Sequence, residues 1–129
     1  MSKELVNRWF NKISISERNL PLLLVDGYAY TPQMAYDEVN RGTQLGARLQ
    51  SLIEMGKFGT SSLEEQAIAK VRIQTILASK PQDKPLFATM SNKVFTPAQL
   101  MEEINSGTLI GQQWVTSEIS RMRNIVQVR

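Results

Sequence analysis

The segment Tyr30–Gly46, YTPQMAYDEVNRGTQLG, returns later in the chain as Phe95–Gly111, FTPAQLMEEINSGTLIG. The two segments align without a gap, and similar side chains occupy several positions that are not identical. A segment that recurs within one chain indicates a structural unit that is used more than once. The identical positions are Thr31, Pro32, Glu38, Asn40, Gly42, Thr43 and Gly46, which recur as Thr96, Pro97, Glu103, Asn105, Gly107, Thr108 and Gly111.

Most of the shared residues have a role in starting or ending a helix. Threonine is a good helix N-cap, and proline at the first helical position loses no hydrogen bond that it could have made. Thr31-Pro32 therefore predicts the start of a helix, which Gly42 ends in the left-handed conformation. Thr43 caps a second helix at once. Because a glycine within a helix costs about 1 kcal/mol relative to alanine, Gly46 predicts a close crossing of the two helices.

The residues before each shared segment predict a β-hairpin. Asp26-Gly27 lies between Leu22–Val25 and Tyr28–Tyr30, and an Asp-Gly pair between such runs is typical of a tight turn with positive φ. The corresponding runs in the second half are Leu86–Met90 and Lys93–Phe95. Since an isolated hairpin is marginally stable, we expect the two hairpins to pair into one four-stranded antiparallel sheet or to be covered by helices.

A helix is predicted before each hairpin. The segment Lys3–Ile13 places its apolar side chains on one stripe. A longer helix begins at Ser62, where Ser62-x-x-Glu65 has the pattern of a capping box. Apolar side chains cover most of its circumference, and the narrow polar arc includes Arg72. A helix of this kind is usually buried on two sides, so we expect it to lie between the two halves of the chain.

These elements predict the fold class α+β, predominantly helical, as a tandem duplication of a helix–β-hairpin–helix–helix unit with pseudo-twofold symmetry. We expect a single compact domain, residues 1–129, built of two repeats that span about residues 1–60 and 61–129. The last residues, Asn124–Arg129, are interpreted as a short edge strand or a disordered tail.

The composition excludes several kinds of site. The 129 residues include no cysteine and no histidine, which removes disulfides, thiolate nucleophiles and the commonest general base and transition-metal ligand. No apolar run is long enough to cross a bilayer, and the N-terminal residues lack the apolar core of a signal peptide. We therefore expect a cytoplasmic protein that uses no membrane, no metal and no cofactor.

The favoured hypothesis is a small soluble non-enzymatic adaptor or regulatory protein that binds another protein or itself. Because the shared residues serve the fold, binding residues are sought where the two halves differ. Exposed aromatic and arginine side chains are common at the centres of protein interfaces. The candidate partner-binding residues are Tyr28, Arg41, Arg48, Arg121 and Arg123.

A nucleic-acid-binding regulator is the first alternative. The net charge of +3 is positive but mild, and two helices joined by a tight glycine turn are compatible with a helix-turn-helix. The second helix of that bend would present polar side chains to bases or phosphates. These are Gln44, Arg48 and Ser51 in the first half, and Gln112, Gln113 and Thr116 in the second half.

A carboxylate-dependent enzyme is the second alternative. Asp37-Glu38 and Glu102-Glu103 are adjacent acidic pairs on equivalent predicted helices, but neighbours along a helix point about 100° apart and do not face each other. A deep pocket enclosing Asp26, Glu38 or Glu103, with a strongly raised pKa, would support this alternative. The sequence itself predicts no catalytic residue.

Overall fold

The structure, a computed structural model, describes residues 3–88 and 93–126. Its elements follow the order helix, hairpin, helix, helix, and this order occurs twice along the chain. The prediction of a predominantly helical α+β fold is confirmed. The elements are α1 (Lys3–Lys12), a 3-10 turn (Ile15–Glu17), β1 (Leu23–Val25), β2 (Tyr28–Tyr30), α2 (Pro32–Arg41), α3 (Gln44–Met55), α4 (Ser62–Ala78), β3 (Phe87–Ala88), β4 (Val94–Phe95), α5 (Pro97–Ser106) and α6 (Leu109–Ile125).

The first hairpin has the predicted turn. β1 and β2 pair antiparallel, with Val25 opposite Tyr28. Asp26 and Gly27 connect them with φ values of 53° and 82°, as a turn that matches the right-handed twist of the strands requires. All of β1 is buried, because the strand packs against α3 and α4.

The predicted four-stranded sheet does not form in the part of the chain that the structure describes. β3 and β4 pair only with each other, as β1 and β2 do. Helices cover the hairpins instead: Phe87 stacks on Phe95 across the second hairpin and contacts Trp114 of α6, with ring centroids 5.1 Å apart in both pairs. The rest of the predicted strand Leu86–Met90, and the turn after it, lie outside the described residues.

The predicted helix ends of the shared segments are confirmed in both halves. The Thr31 hydroxyl accepts a hydrogen bond from the Met34 backbone N–H at 3.1 Å. The corresponding Thr96 hydroxyl accepts a hydrogen bond from the Gln99 backbone N–H at 3.2 Å, and the Gln99 side-chain oxygen accepts one from the Thr96 N–H. Gly42 and Gly107 end α2 and α5 in the left-handed conformation.

The long helix α4 lies where the sequence predicts it, against β1 on one side and against α5 and α6 on another. It begins at Ser62, as predicted, but its N-cap lies one residue before the position that the capping-box pattern indicates. The N-cap is Ser61, whose hydroxyl accepts from the Glu64 N–H at 3.2 Å. Glu65 does not close a capping box at Ser62, because its carboxylate accepts the Phe58 N–H at 3.1 Å instead.

Two side chains of α4 are placed opposite to expectation. Arg72, predicted on the polar arc, is 0% exposed, whereas Leu63, one of the apolar side chains of this helix, is 75% exposed. Arg72 can be buried because carboxylates from other elements surround it. α6 continues to Ile125, so an edge strand from Asn124 is also wrong; the last three residues lie outside the described part of the chain.

The core is one continuous cluster that draws on all six helices and on β1. Trp9 and Phe58 are both buried in it. The largest apolar side chains that are almost completely buried include Phe58, Ile13, Leu22, Leu23, Leu49, Ile68, Leu100, Ile104 and Met122.

Within residues 3–88 and 93–126, none of the helices combines the length and the apolar character that crossing a membrane requires.

A candidate binding cleft beside the first hairpin

A cleft of about 190 Å³ opens between the end of β1, one face of α3 and the start of α4. We call it the hairpin cleft. Its floor is apolar and its rim is polar, apart from Met55, which is 56% exposed. The lining residues are Leu24, Val25, Asp26, Arg48, Ser51, Leu52, Met55, Thr60 and Glu64.

Helical spacing brings the α3 side of the hairpin cleft together. Arg48, Leu52 and Met55 are separated by four and three positions, so they lie on one face of the helix. Leu52 is buried at the floor, and Arg48 and Met55 are exposed at the rim.

The loop between α3 and α4 forms the opposite wall. Gly56 ends α3 with a positive φ, and the buried Phe58 then fixes the loop, since its carbonyl accepts the Leu24 N–H at 2.8 Å. A Cβ atom added to Gly59 would lie 2.6 Å from the Cβ of Glu64. This close approach holds Thr60 beside Glu64, and the Thr60 N–H donates to Glu64 Oε1 at 2.6 Å.

Three charged groups stand at the rim. The two terminal guanidinium nitrogens of Arg48 donate to the two carboxylate oxygens of Asp26, and the Nη2–Oδ1 distance is 3.0 Å. The hydrogen bond from Arg48 lowers the pKa of Asp26 and, in turn, raises the pKa of Arg48. The Thr60 hydroxyl and N–H lower the pKa of Glu64. At neutral pH the rim therefore carries two negative charges and one positive charge.

Of the predicted partner-binding residues, Arg48 and Tyr28 belong to this region. Arg48 lines the hairpin cleft. Tyr28 lies opposite Val25, a lining residue, and is 69% exposed at the tip of the hairpin. The sequence singled out both residues, but it did not show that Met55, Thr60 and Glu64 would join them.

The structure does not bring the other three candidate residues to this cleft. Each is paired with a carboxylate elsewhere. Arg41 contacts Glu38 at 2.8 Å and Arg123 contacts Glu65 at 3.5 Å. Arg121 contacts both Glu17 and Glu118 at 3.2 Å.

Arg121 is part of a buried ion cluster that the sequence did not reveal. Arg72 lies at its centre and donates to Glu118 at 2.8 Å, to Glu17 at 2.7 Å and to the Pro21 carbonyl at 2.8 Å. Burial alone would raise the pKa of Glu17, but the hydrogen bonds and charges of Arg72 and Arg121 more than offset burial and lower it. The cluster joins residues far apart in the chain, so no local pattern marks it.

The carboxylates considered for catalysis have other partners. Glu38 accepts the Thr43 hydroxyl and Glu103 accepts the Thr108 hydroxyl, both at 2.7 Å. Asp26 does line a cleft, but its pKa is lowered, whereas a general acid at neutral pH needs a raised one. Among residues 3–88 and 93–126, no group of three or more acidic side chains is arranged to hold a metal ion.

A second cleft, of about 300 Å³, lies between α4 and the start of α6. It contains Gln112 and Thr116, two of the residues considered for nucleic-acid contact, together with Gln66 and Lys70. Among the described residues that line it, Lys70 is the only one with a charged side chain. This composition gives little attraction for a phosphate backbone, which requires several cations in a row.

Comparison of the chain with protein-family models, with curated protein sequences and with solved structures found no match.

Proposed function

We propose that the protein is a small non-enzymatic adaptor or regulatory protein of the cytoplasm, which binds a segment of another protein in the hairpin cleft. The observation that carries the proposal is the combination of an apolar floor with the exposed side chains of Met55 and Tyr28 beside it. Tyrosine and arginine are enriched among residues that dominate binding energy, and methionine adapts its shape to different partners.

Nucleic-acid binding receives less support from the same contacts. Arg48, which is among the predicted nucleic-acid contacts, pairs with Asp26, and the candidate partner-binding residues Arg41, Arg121 and Arg123 also pair with carboxylates. The carboxylate beside each guanidinium would repel a phosphate that approached it. A gel-shift titration at low salt tests this alternative, since phosphate contacts give an affinity that falls steeply with salt.

The proposal is tested by a comparison of cleft variants with a matched surface variant. Met55→Glu places a charge on the apolar rim, and Tyr28→Ser removes the aromatic ring at the hairpin tip. Leu109→Ser is the control, because Leu109 is 71% exposed but lies on α6 and does not line the cleft. We expect wild-type protein and Leu109→Ser to co-purify the same stoichiometric partner from native cells, and Met55→Glu to lose it.

Two outcomes contradict the proposal. If all variants retain the partner equally, binding uses a different surface. If light scattering shows a wild-type dimer that Met55→Glu converts to a monomer, the occupant of the cleft is a second copy of the chain. Circular dichroism of each variant establishes that the loss of binding does not come from unfolding.

We also infer that the two halves arose by tandem duplication, and equivalent hydrogen bonds made by residues that precede the shared segments support this inference. The Leu22 N–H donates to the Tyr30 carbonyl at 2.9 Å, and Leu86 donates to Phe95 at 2.8 Å. A second pair of bonds closes the loops after the first helix of each half. In these, the Arg18 side chain donates to the Ile13 carbonyl at 2.9 Å, and the Gln82 side chain donates to the Leu77 carbonyl at 2.8 Å.

A further inference from the structure

We propose that the hairpin cleft selects a peptide segment in which one large apolar side chain, such as methionine or leucine, stands next to a lysine or arginine. This inference rests on the proposed function and names the chemistry of the partner. It follows from the size of the cleft and from the charges at its rim.

The size of the cleft sets the apolar part of the segment. An apolar cavity of about 150 Å³ accommodates a benzene molecule, so the 190 Å³ of the hairpin cleft accommodates one large side chain. Leu24, Val25 and Leu52 form a buried floor for it. Met55 stands at the rim and can close over the bound side chain because its thioether chain has several rotatable bonds.

The rim charges set the sign of the neighbouring residue. Asp26 and Arg48 form a bidentate pair, so that, with the carboxylate of Glu64, the rim carries one net negative charge. Both bonds from Thr60 use Glu64 Oε1, so they do not engage Oε2. A cation next to the bound apolar side chain would meet this oxygen, although the protein as a whole carries a net charge of +3.

An acidic segment would meet the opposite situation. Its carboxylate would be repelled by Glu64 and by Asp26, which two hydrogen bonds hold at Arg48. The local charge therefore favours a basic occupant over an acidic one, and this discrimination weakens as salt screens the exposed charges.

The experiment is an NMR titration of ¹⁵N-labelled protein with blocked synthetic hexapeptides. The three peptides are acetyl-Gly-Ser-Met-Lys-Ser-Gly-amide and the versions in which Met-Lys is replaced by Met-Glu or by Ala-Lys. The backbone amides of Leu52, Met55 and Thr60 report on the cleft. For one side chain and one charge we expect dissociation constants of about 1 mM or somewhat above.

The Met-Lys peptide is expected to bind about five- to tenfold more tightly than Met-Glu, since an exposed attraction replaces an exposed repulsion. The Ala-Lys peptide is expected to lose binding at the concentrations used, because it leaves the apolar floor empty. Glu64→Gln keeps an acceptor for Thr60 and is expected to bring the Met-Lys and Met-Glu affinities to within about twofold of each other. Glu54→Gln is the matched control, because Glu54 is an exposed carboxylate on α3 that does not line the cleft.

Equal or tighter binding of the Met-Glu peptide at the cleft amides would overturn the charge preference and leave the proposed function standing. Binding of the Ala-Lys peptide as tight as that of Met-Lys would overturn the apolar part in the same way. If the backbone amides of the cleft do not shift with any of the three peptides, the inference is wrong. The proposed function is tested separately, by whether Met55→Glu loses the partner that wild-type protein co-purifies. The peptide comparison uses wild-type protein, so it holds even if Glu64→Gln does not fold.

Discussion

Gly46 of α3 lies directly against the backbone of Glu38 in α2, so that a Cβ atom added to Gly46 would be 2.3 Å from the Glu38 carbonyl oxygen. The equivalent Gly111 stands in the same relation to Glu103, at 2.2 Å. Such distances are far inside van der Waals contact. The recurrent glycine is therefore required by the packing of two helices that meet almost at their backbones.

We expect Gly46→Ala and Gly111→Ala to lower the free energy of unfolding by about 1–3 kcal/mol each, as is typical when a packed interface must separate. A decrease in the free energy of unfolding would indicate the close helix contact, because alanine in an ordinary helix interior is about 1 kcal/mol more favourable than glycine. Urea unfolding followed by circular dichroism measures both variants. Ser120→Ala, at an exposed position of α6, is expected to be neutral, and a stabilised Gly46→Ala would show that the helices do not meet as described.

The helix ends and the first hairpin could be predicted from sequence because their causes are local. Thr31, Gly42 and the Asp26-Gly27 turn each act through residues within four positions along the chain. The close helix crossing at Gly46 could also be predicted, because a glycine early in a helix costs stability and few features other than a close crossing require one. The cap of α4 was misplaced by one residue, because Ser61 and Ser62 are both suitable caps.

Burial of charge and the composition of the cleft could not be predicted in the same way. Arg72 reads as a surface residue from its helical position, and only its contacts with Glu17 and Glu118 allow it to be fully buried. The hairpin cleft similarly depends on a loop that brings Thr60 and Glu64 to β1. Contacts between distant segments decide both features, and a single sequence does not display such contacts.

Thr43 and Thr108 each have two roles, which gives a second prediction. Their hydroxyls accept the N–H of Gly46 and Gly111 at 2.9 and 3.2 Å, and they donate to the carboxylates of Glu38 and Glu103. We expect Thr43→Ala and Thr108→Ala each to cost about 1–2 kcal/mol of stability, the range for a lost N-cap.

Serine variants distinguish the effect of the capping hydroxyl from the effect of the threonine methyl group. Thr43→Ser and Thr108→Ser keep the hydroxyl, and we expect them to retain most of the wild-type stability in thermal and urea unfolding. Similar costs in the two halves would agree with equivalent structural units. If alanine and serine variants lose the same stability, the methyl group rather than the hydroxyl is responsible.

The buried ion cluster predicts non-additive mutational effects. Arg72→Met leaves Glu17 and Glu118 facing each other with only Arg121 to balance them, so we expect a loss of about 3 kcal/mol or more. In the double variant Arg72→Met, Glu118→Met one charge of each sign is removed, and Glu17 keeps Arg121 as its partner. The double variant is expected to be at least about 1 kcal/mol more stable than the sum of the single effects predicts.

The double-mutant cycle is measured by urea unfolding of all four proteins under one condition. The Glu118→Met single variant completes the cycle, since it leaves the guanidinium of Arg72 without one of its two carboxylates. Additive effects, within about 0.5 kcal/mol, would mean that Arg72 and Glu118 contribute independently and that the cluster is not a unit.

The lowered pKa of Glu17 predicts how this cluster responds to acid. Because the pKa in the folded protein lies below the usual value of 4.5, the stabilisation is fully present above 4.5 and is lost as the pH falls through the folded pKa. We expect Glu17→Gln to be about 2 kcal/mol less stable than wild type between about pH 5 and pH 7, as for hydrogen bonds to charged groups. Below pH 4.5 the difference should shrink as the wild-type carboxyl takes up its proton, whereas Glu4→Gln, at an exposed position of α1, should follow wild type throughout. Urea unfolding across this range measures both differences, and a gap between wild type and Glu17→Gln that stays constant down to about pH 3 would show that the Glu17 charge does not stabilise the cluster.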